Sequence, residues 1–215
     1  MRIPVVKTNG EGIPIIACDI DGTLGDYHSH FLDFARKFMG KEMPPADQIN
    51  PGQPLWKFMG VTQEAYRECK LAFRQGGNKR WMPMYPGIKR FADNVKTVGA
   101  ELWLCTTRPY LRLDNIDPDT RECLRRAGIE PDGLLFGDDK YKELHRQAGS
   151  RVAGVIDDLP EMCLEANKYF PLVAIRDQPY NQHTTGFMRV KDASHMWLFA
   201  AESILTWRFE NGQAG

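Results

Sequence analysis

From residue 86 onward, short and wholly apolar runs alternate with stretches of helical periodicity, and few folds satisfy that alternation. Leu102-Trp103-Leu104-Cys105, Leu134-Leu135-Phe136 and residues 152–156 and 172–175 read as strands. Between them, Ile88, Phe91, Ala92 and Val95 line a helix that Gly99 ends, and further helices are expected over 119–127, 139–148 and 160–169. A last helix is expected over 194–207, followed by a polar tail. The strands are apolar throughout instead of alternating with polar residues. They therefore call for burial on both faces, which a parallel sheet covered by helices on both sides provides.

One further strand stands apart. Ile15-Ile16-Ala17-Cys18 ends abruptly in acidic and glycine residues, and the period then changes: Tyr27, Phe31, Phe34, Ala35 and Phe38 fall on one helical face. Residues 40–60 carry four prolines and three glycines and read as loop with short helical pieces. Thr62 can cap a helix with an inner face of Ala65, Tyr66, Cys69, Ala72 and Phe73. The expected organisation is an α/β core from residues 1–25 and 84–215, interrupted by a helical cap over 26–83. Ligands of open parallel sheets bind at the carboxyl ends of the strands, so an insertion directly after the first strand would lie over the site as a lid.

Composition closes off several classes. Lys+Arg and Asp+Glu both number 28, so the net charge of zero gives no global pull toward nucleic acid or an anionic membrane. No apolar run approaches the ~20 residues that span a bilayer, and the first residues lack the pattern of a signal peptide. The five cysteines (Cys18, Cys69, Cys105, Cys123, Cys163) form no C-x-x-C pair, which argues against a disulfide framework or zinc site and for a reduced, cytoplasmic protein.

Chemistry concentrates at strand ends. Asp19-Ile20-Asp21-Gly22-Thr23 follows the first strand, and two carboxylates spaced by two project the same way from an extended backbone. Such a pair suits Mg²⁺, a hard cation often shared with substrate phosphate, and also a division of labour between nucleophile and proton carrier. Thr106-Thr107-Arg108 ends a second strand with groups able to hold a phosphate oxygen. A third strand ends in Asp157-Asp158, whose burial a bound cation would explain. Lys140 and Lys142 open the preceding helix and could set a positive charge on a phosphoryl group.

Together these residues resemble the haloacid dehalogenase superfamily, with the four motifs in order over roughly residues 13–190. That resemblance implies a Rossmann-like fold and a Mg²⁺-dependent phosphatase. Asp19 would be the nucleophile, Asp21 the general acid/base, and Thr106 and a lysine the phosphate holders. Asp19, the Asp21 carbonyl and Asp157 would bind Mg²⁺, with Asp158 close by. Lys142 fits the family's lysine slot best, because Lys-Glu-x-x-Arg opens a helix there; Lys140 is the rival. Dehalogenase members lack an acid at the position of Asp21, and the transport ATPases carry a lysine where this chain has Ile20, so phosphatase chemistry is favoured.

A second resemblance is to the 5'(3')-deoxyribonucleotidase group. It rests on Pro86-Gly87, Cys105-Thr106, Asp177-Gln178-Pro179-Tyr180-Asn181, Arg189-Val190 and Trp197. It implies a (deoxy)nucleoside monophosphate as substrate. Thr107-Arg108-Pro109 departs from the Ser-Pro of several such enzymes and is similar to polynucleotide 3'-phosphatases, for which the partner would be a 3'-phosphorylated nucleic-acid end. A sugar-phosphate phosphatase and a non-catalytic nucleotide-binding protein are the remaining alternatives. Oligomeric state stays open, a homodimer included.

The cap segment carries its own hints. Residues 52–85 hold Lys57, Arg67, Lys70, Arg74, Lys79 and Arg80 against Glu64 and Glu68, a basic lid that would attract a phosphomonoester dianion. Trp56 and Trp81, flanked by loop residues, are the candidates for stacking on a nucleobase. His28 and His30 sit at i and i+2, which diverge on a helix and make a poor metal pair.

Overall fold

The computed structural model describes residues 12–109 and 113–212. Residues 1–11 of the expected core segment and the end of the polar tail lie outside that range. Six strands, β1 (Ile15–Cys18), β2 (Glu101–Thr106), β3 (Gly133–Phe136), β4 (Val152–Asp157), β5 (Val173–Arg176) and β6 (Met188–Val190), form one sheet in the order β3-β2-β1-β4-β5-β6. Every neighbouring pair is parallel. The order reverses between β1 and β4, and the crevice at such a switch point is where this architecture binds ligands.

Burial on both faces explains the unbroken apolar runs. Ile16, Cys18, Leu102, Leu104 and Ile156 point to one side. There they pack against α4 (Ile88–Thr97), α5 (Ile116–Arg126) and α8 (Ala193–Glu210). The alternate residues Ile15, Ala17, Trp103, Cys105 and Val155 point to the other face, under α6 (Lys140–Ala148) and α7 (Pro160–Ala166). This is the period of two along a strand read through two layers of helix. All five cysteines are free and buried. No helix among the described residues is long and apolar enough to cross a membrane.

Between β1 and α4 lie α1 (Tyr27–Met39), α2 (Leu55–Phe58) and α3 (Gln63–Gln75). The Asp26 side chain caps α1 by accepting from Ser29 N at 3.2 Å, and Thr62 caps α3 by accepting from Ala65 N at 3.2 Å. The inner faces of α1 and α3 meet in a separate apolar cluster, with Phe31, Leu32, Ala35, Cys69 and Phe73 buried. Burying each large apolar side chain contributes about 1.5–3 kcal/mol, so this helical insert carries a small core of its own.

Helix boundaries differ from the sequence expectation by up to three residues, and the helix expected over 119–127 runs from Ile116 to Arg126. The helix expected over 160–169 stops at Ala166, and the one expected over 194–207 runs from Ala193 to Glu210. Strand β6 was not expected. It is three residues long, lies at the sheet edge and buries only Val190.

Candidate active site

After β1 the chain turns tightly: Leu24 N and Gly25 N both donate to the Ile20 carbonyl, at 3.0 and 2.8 Å. The turn presents Asp19 and Asp21 to a single cavity of about 220 Å³ between the sheet and the helical insert. The sheet side contributes Asp19, Asp21, Thr107, Arg108, Asp158 and Leu159; the insert contributes Tyr27, His28, Leu55, Tyr66, Lys70, Arg74 and Lys79. Gly22 has φ +93°, and a Cβ there would stand 2.4 Å from Asp158 Oδ2 and 2.6 Å from the Tyr180 hydroxyl. The motif glycine thus permits both the turn and the approach of β4 to it.

The two carboxylates have different partners. Lys140 Nζ, 1% exposed, donates to Asp19 Oδ1 at 2.5 Å and to Asp157 Oδ2 at 2.6 Å. Asp157 also accepts the Tyr141 hydroxyl at 2.5 Å and Leu159 N at 2.8 Å, so its oxygens are occupied. Burial pushes the Asp19 carboxyl up to about 7; Lys140 opposes this, and Asp157 and Asp21 add to it. Burial alone would pull Lys140 down, but Asp157 and Asp19 raise it above the usual ammonium range.

Asp21 accepts from Arg108 Nη2 at 2.6 Å and Nε at 3.1 Å, and from Lys79 Nζ. Burial works against its charge, yet Arg108 and Lys79 prevail and hold the carboxyl well below its usual range. Lys79 is itself lowered to about 7, by burial first, and its ammonium sits 3.9 Å from the centre of the Tyr27 ring. Arg108 is anchored from behind by Thr120 Oγ1 at 2.8 Å.

Asp158 has no ammonium or guanidinium partner among the described residues; it accepts the Thr23 hydroxyl at 2.9 Å and the Tyr180 hydroxyl at 2.5 Å. Burial, Asp157 and Asp19 raise its carboxyl well above the usual range. Of three buried carboxylates, two share one ammonium and Asp158 has none, an excess of acidic groups that a hard, oxygen-seeking cation matches. No ready-made cage of three or more acidic, His or Cys side chains exists among the described residues. Mg²⁺ does not require one, since it is held by one or two carboxylates and completes its shell with water and phosphate oxygens. Asp19, whose Oδ2 accepts no hydrogen bond among the described residues, and Asp158, whose oxygens accept only hydroxyls, are neighbours in the lining of the cavity.

Several expected residues are placed otherwise. Lys142 is exposed on the outer side of α6, and Lys140 occupies the position between the carboxylates. Asp157 turns away toward Lys140 and Tyr141, so Asp158 replaces it as the acidic group at the cavity. Thr107 and Arg108 line the cavity, whereas Thr106 is buried, its Oγ1 accepting Arg108 N at 3.4 Å. Neither tryptophan lines it. Trp81 is 56% exposed and lies 4.0 Å from the Arg126 guanidinium beside a separate hollow, while Trp56 is half-buried with Lys57 over its ring.

The sequence does not single out Tyr141 or Tyr180, although Tyr141 lies between Lys140 and Lys142 and Tyr180 sits inside a quoted motif. Tyr180 belongs to Asp177-Gln178-Pro179-Tyr180-Asn181, and that whole segment buttresses the site. Gln178 Nε2 donates to the Gly22 carbonyl at 2.6 Å, and Asn181 Nδ2 donates to the Asp158 carbonyl at 2.7 Å.

Solved structures share this arrangement of strands and helices. A phosphatase described as predicted, from Clostridium acetobutylicum, is 14% identical with a TM-score of 0.63, over 88% of this chain and 99% of that one. The fold is that of the haloacid dehalogenase-like hydrolases. A hydrolase of that family from Deinococcus radiodurans, with bound phosphate and sodium, is 11% identical at TM-score 0.62, over 89% of this chain and 96% of that one. A CbbY variant from Rhodobacter sphaeroides, in complex with xylulose-(1,5)bisphosphate, is 16% identical at TM-score 0.55, over 85% of this chain and 95% of that one. No protein-family model and no curated protein matches the sequence. At these identities the likeness carries the haloacid dehalogenase fold, and the chemistry rests on the site.

Proposed function

We propose that this chain is a phosphomonoester hydrolase that works through an aspartyl-phosphate on Asp19. The observation that carries the reading is the pairing of two carboxylates in one small cavity under opposite electrostatic control. Asp19 is held by a single lysine beside the unpaired Asp158, and Asp21 is clamped by Arg108 and Lys79. Asp19 attacks phosphorus in line, forming a P–O bond as the bond to the leaving oxygen breaks. Asp21 gives that oxygen a proton and then takes one from the water that hydrolyses the acyl phosphate. An anionic substrate competes with Asp21 for Arg108 and Lys79, and the carboxylate so released carries the proton. Thr107 is positioned at the cavity to hold a phosphate oxygen, and Lys140 keeps Asp19 oriented and balances charge beside it.

Asp19, Asp158 and the Asp21 carbonyl would hold Mg²⁺, which supplies charge neutralisation at the phosphoryl oxygens. The site favours a small substrate over a nucleotide. Trp56 and Trp81 are elsewhere, and the two tyrosine rings of the cavity, Tyr27 and Tyr66, already carry the ammonium groups of Lys79 and Lys70. A CbbY variant of the same fold is solved with a sugar bisphosphate, a ligand of the small class proposed for this chain. A (deoxy)nucleoside monophosphatase is the second reading. It is favoured by the 177–181 segment, whose likeness to the nucleotidase group falls on residues that touch Gly22 and Asp158.

Phosphate release decides between them. The panel contains sugar phosphates, short phosphorylated acids, nucleoside monophosphates and a 3'-phosphorylated oligonucleotide, each with Mg²⁺ and with chelator. Release from small phosphates that requires Mg²⁺ and is lost in Asp19→Asn is the expected result. A maximum on a mononucleotide or on the oligonucleotide moves the assignment to that class. Nucleotide binding with no release from anything refutes catalysis.

A further inference from the structure

We propose that the substrate carries a second anionic group, a carboxylate or phosphate, held by Lys70 and Arg74 at the insert wall of the cavity. The proposal rests on the phosphomonoesterase reading for the first group and on different residues for the second. Lys70 and Arg74 lie four residues apart on α3, so they share one helical face, and both line the cavity. Neither has a carboxylate partner among the described residues. Lys70 Nζ donates only to the Tyr66 hydroxyl, at 3.1 Å, and the Arg74 guanidinium has no acceptor, its Nε being buried without one. His28 Nδ1, at the same wall, is also buried without a partner.

The other cations at the site already have carboxylate partners: Lys79 and Arg108 share Asp21, and Lys140, behind the cavity lining, holds Asp19 and Asp157. The reacting phosphate competes with Asp21 for Arg108 on the sheet side and Lys79 on the insert side. Lys70 and Arg74 form a second positive region that one phosphomonoester group does not account for. A guanidinium and an ammonium presented side by side, with an unpartnered imidazole nitrogen near, match the charge of a carboxylate or phosphate, which a neutral hydroxyl-rich or aromatic tail would leave uncompensated.

Matched pairs of substrates test this. Ethyl phosphate is compared with 2-phosphoglycolate, which adds a carboxylate, and propyl phosphate with propane-1,3-diol bisphosphate, which adds a phosphate. The doubly anionic member of at least one pair is expected to have a kcat/KM at least tenfold higher, expressed in KM; which pair responds identifies the second group. Arg74→Gln and Lys70→Gln should shrink that ratio to less than threefold, and Arg74→Lys should retain part of it. Calorimetric binding of the same four compounds to the Asp19→Asn protein provides a readout independent of turnover. Equal kcat/KM within both pairs, or a ratio unchanged in both glutamine variants, overturns the proposal. Tighter binding of a doubly anionic member, lost in Arg74→Gln, with no phosphate released by the wild type, sustains the second anion site and refutes the hydrolase reading instead.

Discussion

Replacing Lys140 by methionine removes the one ammonium that lies between Asp19 and Asp157 while roughly keeping its volume, so the loss is electrostatic and leaves little cavity. Both carboxylates are almost fully buried. Breaking such a buried pair costs about 3–5 kcal/mol, and in a chain of this size each kcal/mol lowers Tm by about 2–4 °C. The expected fall is therefore roughly 6–20 °C. The sign of its pH dependence follows from Asp19. Its folded pKa of about 7 lies above the ordinary 3.8, so the folded state binds the extra proton. Stability from this group is present in acid and lost as pH rises through that interval. Without Lys140 the carboxyl rises further, so the penalty of Lys140→Met is smallest near pH 5 and largest near pH 8. Thermal melts with chelator present, at both pH values, measure it. Lys142→Met, on the exposed side of the helix, should stay within about 0.5 kcal/mol of wild type. Phosphate release should fall about 10²–10³-fold in Lys140→Met and hardly at all in Lys142→Met. A Lys140→Met protein that melts with the wild type at both pH values, or a Lys142→Met protein that alone loses activity, would refute the assignment.

Asp19→Asn should abolish phosphate release with an unchanged circular-dichroism spectrum, and Asp21→Asn should slow it and accumulate an acid-stable phosphoenzyme visible by intact-protein mass; wild-type rates in either remove its role. Gly22→Ala puts a methyl group against Asp158 at positive φ, which costs about 1–3 kcal/mol for the backbone alone. A denaturant midpoint equal to that of wild type would contradict the close approach of β4 to the turn. Saturating Mg²⁺, at about a hundred times its Kd, should add about 2.7 kcal/mol to wild-type stability. That gain should disappear in Asp158→Asn and persist in Asp157→Asn, and the reverse pattern would return the metal to Asp157.

The sheet was legible because its signal is local: four-to-six-residue apolar runs buried on both faces leave little choice but a covered parallel sheet, and the acidic motifs mark their carboxyl ends. β6 escaped because a three-residue edge strand that buries one side chain has no pattern to read. Which lysine lies inward is legible in the helix itself. Lys140, Leu144 and Ala148 are spaced by four and all buried, so Lys140 shares the core face, while Lys142, two residues on, points away. The Lys-Glu-x-x-Arg likeness points to Lys142, whereas the periodicity puts Lys140 on the inner face, where the structure has it. Asp157 and Asp158 show the opposite case. Adjacent residues at a strand end point to opposite sides, and only the partners reveal which side is the cavity: α6 brings Lys140 and Tyr141 to one, and the 178–181 turn brings Tyr180 to the other. The partners of Asp21 lie 58 and 87 residues away in sequence, at Lys79 and Arg108. No window along the chain could have joined them, and the same distance misled the choice of aromatics. The loop setting of Trp56 and Trp81 singles them out in the sequence, but what faces the cavity is set by how α3 packs on α1 through Phe73 and Phe31. That packing turns Tyr66, Lys70 and Arg74 inward on successive turns of one helix face, so the insert lines the cavity with cations instead of indoles.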